Sequence, residues 1–453
     1  MPSVAVIGAG LAGCECAFAL AQAGVRVTVF EMKPHRFSPA HTSPDCAELV
    51  CSNSFRSSAP DCAIGLLHEE MRALGSLCLA VAETCKVPAG KALAVDRKLF
   101  SGEMTRRILE TPSITMVRKE ILSLGAKGDP PPDLELAKHE FIVVSAGPLA
   151  GESLSASLSR LAGEEHLYFY DAIAPVLDGF SVNTERVFAG GRHDPGNSDY
   201  LNCPLDKEDY IAFREALLGA ERVPPRPFEK ECHFEGCMPI ETLAERGFMT
   251  LAFGPLKPVG LIDPRTGKRP FAALQLRTED LNRSMFNLVG CQTKLRQSEQ
   301  ERVFGLIPGL EKARFVRFGS MHRNTFVNAP QALSPDLSLR SRADVFLAGQ
   351  LAGVEGYAES AACGLWLGKR LAARIRGKDI SPPPQETALG ALLMHLQSGA
   401  GHFQPSNVQF GLMPELGRKA GFRQRRALYA ERARVSFRAW FEESGLSQSA
   451  ACA

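Results

Sequence analysis

Apolar and polar positions follow two rhythms along this chain. Val4-Ala5-Val6-Ile7 is a continuous apolar run that reads as a core strand, and an Ala-rich stretch with helical spacing follows it to about Ala23. Gly24 ends that helix, as a residue without Cβ can. Val25-Arg26-Val27-Thr28-Val29-Phe30 is β-branched and alternating, which predicts a second strand with Glu31 at its end. Residues 65–83 predict helix. Residues 113–145 predict strands, with Gly128-Asp129-Pro130-Pro131-Pro132-Asp133 as a turn between two of them. Phe141-Ile142-Val143-Val144-Ser145-Ala146-Gly147-Pro148 predicts a buried strand running into a glycine turn. From about 165 to 325 prolines and aromatics become frequent and loops dominate, which predicts a second domain inserted into the first. Val345-Phe346-Leu347-Ala348-Gly349-Gln350 returns to the strand-then-glycine pattern, Ser381-Pro382-Pro383-Pro384 reads as a stiff linker, and a basic helical tail follows. The expected division is therefore 1–165, an insertion over 166–325, a return segment over 326–380, and a linker with tail over 381–453.

Gly8-Ala9-Gly10-Leu11-Ala12-Gly13 sits between the first strand and the first helix, and Glu31 follows the third glycine by 18 positions. Dinucleotide binding requires this arrangement. The first glycine makes the tight turn, the second admits the pyrophosphate to the backbone, and the third lets helix and strand pack closely. The helix N-terminus then meets the phosphate charge and the carboxylate takes ribose hydroxyls. Near the other end, Gly349-Gln350 precedes Gly353-Val354-Glu355-Gly356-Tyr357-Ala358-Glu359-Ser360-Ala361-Ala362-Cys363-Gly364. A strand, a glycine turn and a small-residue helix there would turn backbone amides, around Gly349, Gln350, Glu355 and Gly356, toward a flavin ring or its ribityl chain. The expected fold class is α/β: a Rossmann-like FAD-binding domain with an inserted α+β domain.

Composition narrows the picture. The length of 453 residues suggests two or three domains at roughly 150 residues each. A hydrophobic share of 45% and a charged share of 23% exclude disorder over most of the chain. The net charge of +2 gives no global field toward DNA, RNA or a membrane, so only local patches can supply one. No apolar run approaches the ~18 residues that span a bilayer, and Met1-Pro2-Ser3 leads straight into a core strand, so neither a membrane span nor a signal peptide is expected. The 13 cysteines form no CxxC pair and no zinc spacing; reduced thiols in the cytoplasm, without a metal, are expected.

Further blocks stand out. They are Ala47-Glu48-Leu49-Val50-Cys51-Ser52-Asn53-Ser54-Phe55-Arg56-Ser57, Val87-Pro88-Ala89-Gly90 with Ala94-Val95-Asp96-Arg97, and Tyr168-Phe169-Tyr170-Asp171-Ala172. Tyr200-Leu201-Asn202-Cys203-Pro204, Phe234-Glu235-Gly236-Cys237-Met238-Pro239-Ile240-Glu241 and Ala244-Glu245-Arg246-Gly247 come next. Phe253-Gly254-Pro255-Leu256-Lys257-Pro258-Val259-Gly260-Leu261 and Met321-His322-Arg323-Asn324-Thr325 complete the set. In this order, and with the two glycine segments, they resemble the folate- and FAD-dependent tRNA uracil-5-methyltransferases from residue 1 to about 412. Larger flavoproteins that modify wobble uridine share the fingerprint but have longer chains and lack the Phe-Glu-Gly-Cys-Met-Pro block. The resemblance implies tRNA as partner, 5,10-methylenetetrahydrofolate as carbon donor, FAD as carrier, and NADH or NADPH as electron source. The family's usual target is a T-loop uridine, although a close relative acts on ribosomal RNA.

Uracil C5 is a poor nucleophile until a thiolate adds to C6, which calls for a cysteine in a polar, accessible setting. Cys237 follows a glycine in a loop beside Glu235, Pro239 and Glu241; Cys51 is followed by Ser52, Asn53, Ser54 and Arg56. Taken alone, each reads sooner as a packing residue than as a catalytic one, since free cysteine behaves as a small hydrophobe. The resemblance implies that Cys237 is the attacking thiol and that Cys51 belongs to the active site near the flavin.

Other residues carry two readings. His322 and Arg323 stand in an expected loop, where the histidine would orient substrate, move a proton, or simply hold the loop. Lys257 would meet phosphate or the folate glutamate, or be a solvated lysine. Gln292-Thr293-Lys294-Leu295 departs from the family pattern. Relatives carry histidine at position 294, an aromatic residue at 297 and phenylalanine at 291, where this chain has Lys294, Gln297 and Cys291. That puts stacking on the pterin at 294 in doubt and leaves a lysine able to pair with folate charge. Arg418, Lys419, Arg423, Arg425, Arg426, Arg432, Arg434 and Arg438 are opposed only by Glu431, which reads as a solvated helix face or as a phosphate-contacting one. Two other functions stay open on the residues alone: a flavin oxidoreductase using Cys51 and Cys237 as a redox pair on a thiol or quinone, and a non-catalytic RNA-binding flavoprotein.

Overall fold

A computed structural model of the chain describes residues 2–126, 133–163, 167–192, 198–224, 238–399, 403–417 and 421–446; side chains at 167–172, 322–323 and 422–423 are outside the description. Five strands run parallel in the order Arg342–Leu347, Phe141–Val144, Ser3–Ile7, Arg26–Glu31 and Ile114–Arg118, and Ser338–Leu339 joins antiparallel at one edge. The middle strand explains its own sequence. Val4, Ala5 and Val6 have no exposed surface, so it reads as a continuous apolar run rather than an alternating one. This is the Rossmann-like half of the expected fold.

Helix Leu11–Gln22 leaves the middle strand and packs along helix Tyr357–Ile375. The approach is close because the facing positions are glycines. A Cβ at Gly368 would lie 2.7 Å from the Cys16 carbonyl oxygen, and one at Gly364 would lie within 2.7 Å of the Ala12 backbone. The helical stretch expected over 65–83 is two helices, Ala63–Ala73 and Leu77–Thr84. Gly75, at φ 78°, breaks the run, and Ser76 caps the second helix through the Leu79 amide. Buried Glu15 accepts the Leu77 and Cys78 amides there.

The second sheet is antiparallel, in the order Phe188–Ala189, Tyr200–Leu205, Ala272–Thr278, Met285–Leu288, Val176–Asp178 and Phe315–Arg317. Leu205, Leu274, Leu276, Phe286 and Leu288 on one face share a core with Phe213 and Leu217 of helix Lys207–Gly219 and Phe304 of helix Gln297–Phe304. An antiparallel ribbon, Leu167–Ile173 with Ser320–Phe326, adjoins this sheet in sequence on both sides. The Met321-His322-Arg323-Asn324-Thr325 segment, expected as a loop, is therefore strand, held by continuous pairing from Ser320↔Ile173 to Phe326↔Leu167.

The segment after Pro384, expected as linker and tail, is built into the first core. Leu389 and Leu392 of helix Ala388–His395, and Tyr429, Ala433, Phe437 and Trp440 of helix Phe422–Glu443, are buried there. Several of the arginines read as one basic face are tied to the protein. Arg434 pairs with Glu69 at 2.7 Å, Arg426 meets Asp61, and Arg432 donates to the Glu415 carbonyl at 3.1 Å. A half-exposed pair such as Arg434–Glu69 contributes about 0–1 kcal/mol, whereas burying one large apolar side chain contributes about 1.5–3 kcal/mol. Apolar burial, not the ion pairs, docks this helix. No helix of the described residues is long and apolar enough to cross a membrane.

Candidate active site

The Gly8–Gly13 turn meets the geometric demands of a dinucleotide cradle. Gly8 has φ 98° and a Cβ there would lie 2.6 Å from Ala146 Cα; a Cβ at Gly13 would strike the Gly8 carbonyl oxygen. At Gly10 the nearest atom, the Ser145 carbonyl oxygen, is 4.0 Å from such a Cβ. The first and third glycines are thus required by packing, while the second faces open space. Helix Leu11–Gln22 begins at Gly10 with no side-chain cap, so its first amides are available to phosphate. Glu31, almost wholly buried, accepts the Ala9 amide at 2.8 Å through one oxygen and the Lys33 amide at 3.0 Å through the other. A carboxylate accepts about four hydrogen bonds, which leaves capacity for ribose hydroxyls.

Gly8, Ala9, Gly10, Leu11, Ala12 and Glu31 line one cleft, and Gly349 and Gln350 close it from the strand Arg342–Leu347. Gly13 packs against the Gly8 backbone beneath it. The residues fit an extended dinucleotide such as FAD: a glycine cradle, a bare helix N-terminus and a carboxylate, in the order the ligand needs them. Helix Tyr357–Ile375 presents a second uncapped N-terminus, and Tyr357 and Ser360 from its first turn also line the cleft.

A second cavity of about 430 Å³ adjoins the first, and Val50, Pro148, Leu149, Gln350 and Tyr357 line both. It contains Cys51, Glu355 and Gly356. Gln350 donates to Glu355 at 2.6 Å, which fixes the wall between the two spaces. The loop carrying Cys51 is gripped at every residue from 49 to 53. Arg97 donates to the Leu49 carbonyl at 2.5 Å and Arg317 to the Val50 carbonyl at 3.0 Å. The Tyr357 hydroxyl accepts the Cys51 and Ser52 amides at 2.6 and 3.2 Å. Asn53 donates to Val95 and Thr278 and accepts from Arg277 at 2.9 Å.

Three guanidinium groups thus meet behind Cys51. Glu279 pairs with Arg97. Burial works against the Arg97 charge, but Glu279 outweighs it and the net shift is upward. Burial lowers Arg277, and it lowers Arg317 to about 10. Burial raises the Tyr357 hydroxyl well above the ordinary phenol range, so it stays protonated at neutral pH.

Cys237 lies outside the described residues. The segment after it is anchored: the Ile240 amide donates to the Gln292 carbonyl at 2.7 Å, and Glu241 accepts the Lys294 amide at 2.8 Å and the Thr293 hydroxyl at 2.9 Å. Lys294 and Cys291 are buried, so position 294 serves this anchor at least through its backbone. Lys257 lines a separate groove of about 830 Å³ together with Lys91, Arg192, Tyr200 and Arg426. Sequence reasoning passed over Arg97, Arg277, Arg317 and Tyr357 as site residues. One signal was readable: the strand Ala272–Thr278 alternates Leu274 and Leu276 with Gln275 and Arg277, an unusual polar row for a strand buried throughout.

Residues 3–379 match the family model described as glucose inhibited division protein A. The methylenetetrahydrofolate--tRNA-(uracil-5-)-methyltransferase TrmFO of Oleidesulfovibrio alaskensis is 61% identical over 97% of each chain. The protein of the same name from Geobacter sulfurreducens is 52% identical over 97% of this chain and 98% of its own. Among solved structures, Aquifex aeolicus GidA is similar in fold, with a TM-score of 0.70 at 17% identity, covering 98% of this chain and 75% of that one. With near-full-length relatives at this identity, the chain belongs to the methylenetetrahydrofolate–tRNA-(uracil-5-)-methyltransferase family.

Proposed function

We propose that this chain methylates C5 of a uridine in tRNA, the T-loop uridine usual for its family, with 5,10-methylenetetrahydrofolate as carbon donor, FAD as carrier and NADH or NADPH as electron source. The observation that carries the reading is the adjacency of the two spaces: a dinucleotide cleft shares Gln350 and Tyr357 as lining with a chamber that contains Cys51. FAD, when bound, supplies the carrying of the one-carbon unit and of reducing equivalents. The chain does the rest. Gly8 to Gly13, Glu31, Gly349 and Gln350 hold the dinucleotide, and Glu355 and Gly356 shape its inner end. Cys237 adds to C6 of the uracil, which makes C5 nucleophilic, and Cys51 works beside the flavin. The Glu241 anchor to Thr293 and Lys294 holds the segment from Met238 onward. Lys91 and Lys257 along the large groove suit the phosphates of an RNA, which provide most of its non-specific affinity. The chemistry and its tRNA substrate belong to the cytoplasm.

Undermodified tRNA incubated with the protein, labelled methylenetetrahydrofolate and NADPH tests this. Label in 5-methyluridine is the expected result. NADPH turnover without label would favour a thiol or quinone oxidoreductase, and RNA binding without either would favour a non-catalytic role.

A further inference from the structure

The antiparallel sheet has one apolar and one polar face, and the polar one is buried at Gln275, Arg277 and Asn287. Arg277 and Asn287 are direct cross-strand partners on the polar one. Their side chains therefore stand together, at the spacing of cross-strand neighbours. Arg277 is 9% exposed and Asn287 3%, and both line the cavity that contains Cys51. Their neighbour Gln275 is satisfied by Asn202 at 3.0 Å, and Arg277 spends its Nε on Asn53. The Asn287 amide nitrogen finds no hydrogen-bond partner among the described residues. A buried donor left unpaired is costly and uncommon, and calls for a reason such as an acceptor on a bound molecule.

Resting on the methyltransferase reading, we propose that Asn287 and Arg277 are the donors that hold the C4 carbonyl of the heterocycle bound beside Cys51. A ring carbonyl flanked by an N–H is shared by uracil and by the pterin of folate, so this edge defines the ligand chemistry. For uracil the pair does more than bind. When a thiolate sulfur bonds to C6, the C5–C6 π pair moves through C4 onto O4, and O4 becomes an enolate oxygen. A neutral amide and a guanidinium aimed at that atom stabilise the charge as it forms. The apolar side of the cavity, from Pro148, Leu149, Ile173 and Val289, suits the faces of a flat ring.

The test uses the FAD-loaded protein and two variants, Asn287→Leu and Asn287→Asp. The second is isosteric, removes the donor, and sits beside Arg277, so it keeps the fold if the first does not; flavin content reports this. Two quantities are read: tetrahydrofolate affinity, and the rate of covalent capture of tRNA transcribed with 5-fluorouridine. If the edge is that of uracil, capture slows about tenfold to a hundredfold, the scale of losing one oxyanion donor, and tetrahydrofolate affinity stays within about twofold. If it is that of the pterin, the affinity falls by a similar factor and capture at saturating folate is kept. Variants that retain FAD and change neither quantity overturn the proposal. A wild-type protein that forms neither 5-methyluridine nor the captured complex would instead remove the underlying reading of function.

Discussion

Tyr357 and Cys51 are 306 positions apart, and the Tyr357 hydroxyl accepts the Cys51 amide hydrogen at 2.6 Å. The same oxygen accepts the Ser52 amide, so one side chain from the start of a helix sets the backbone of the cysteine loop. Tyr357→Phe leaves two amides unpaired, at a cost of about 1–3 kcal/mol. Arg97, Arg317 and Asn53 still hold the loop on either side. The expected outcome is a displaced Cys51 rather than an unfolded protein: methylation down about tenfold for roughly 1.4 kcal/mol of lost positioning, with FAD content close to wild type. Wild-type turnover in the variant would show that Tyr357 does not set the position of Cys51.

The two halves of the site differ in how far the sequence discloses them. The candidate dinucleotide cradle is local. Gly8, Gly10, Gly13 and Glu31 lie within one strand–helix–strand unit, so their spacing records the geometry directly. The loop that carries Cys51 is held by Arg97, Arg277, Arg317 and Tyr357, which no spacing links and only the fold brings together. The C-terminal arginines show the converse. Their helix is legible, but the acids that meet Arg434 and Arg426 are Glu69 and Asp61, far away in sequence, so a count of nearby charges overstates the free positive face. The His322–Arg323 segment departs from expectation for a related reason: its polar residues suggest a loop, yet the partner strand Leu167–Ile173 fixes it as a ribbon.

Gly10 and Gly13 offer a contrast that separates ligand binding from folding. Nothing approaches closer than 4.0 Å to a Cβ placed on Gly10, so Gly10→Val fits the apo fold and blocks only the pyrophosphate. Gly13→Ala drives a methyl into the Gly8 carbonyl and disturbs the strand–helix packing itself. Gly10→Val is expected to purify as a folded, colourless protein and Gly13→Ala to lose solubility or melt early. Flavin absorbance and thermal unfolding measure the two effects. A Gly10→Val protein with full FAD content would mean the pyrophosphate binds elsewhere.

Acid stability is expected to carry the mark of His68. It is fully buried in helix Ala63–Ala73, and burial, followed by the charge of Arg72, lowers its pKa from 6.5 to about 4. Between those values the unfolded chain binds a proton that the folded one does not. The stabilisation is complete above about pH 6.5 and is lost as the pH falls toward 4, by about 3 kcal/mol at most for a shift of this size. His68→Gln removes the titration. Its melting temperature is expected to vary less than wild type between pH 6.5 and 4; equal slopes for the two proteins would rule out His68 as the source.

The assignment of the two thiols gives the sharpest prediction. If the Cys237 thiolate adds to uracil C6, tRNA with 5-fluorouridine at the target traps a covalent complex, because fluorine at C5 does not leave as a proton does. Cys237→Ala is expected to abolish both the trapped complex and methylation while keeping FAD, since the residue lies outside the Gly8–Gly13 fingerprint and Glu31 in the sequence. Cys51→Ala alters the chamber wall next to Tyr357 and Gln350. It is expected to reduce methylation yet retain some capacity to form the adduct, if its work is on the flavin side or as a general base. The double variant is expected to be no worse than the worse single one, because residues that act in one sequence of steps are not additive. Denaturing gels of protein with labelled 5-fluorouridine tRNA read out the adduct, and nucleoside analysis reads out methylation. An adduct that survives in Cys237→Ala and disappears in Cys51→Ala inverts the roles and makes Cys51 the nucleophile. Methylation unaffected by either substitution removes the covalent route altogether.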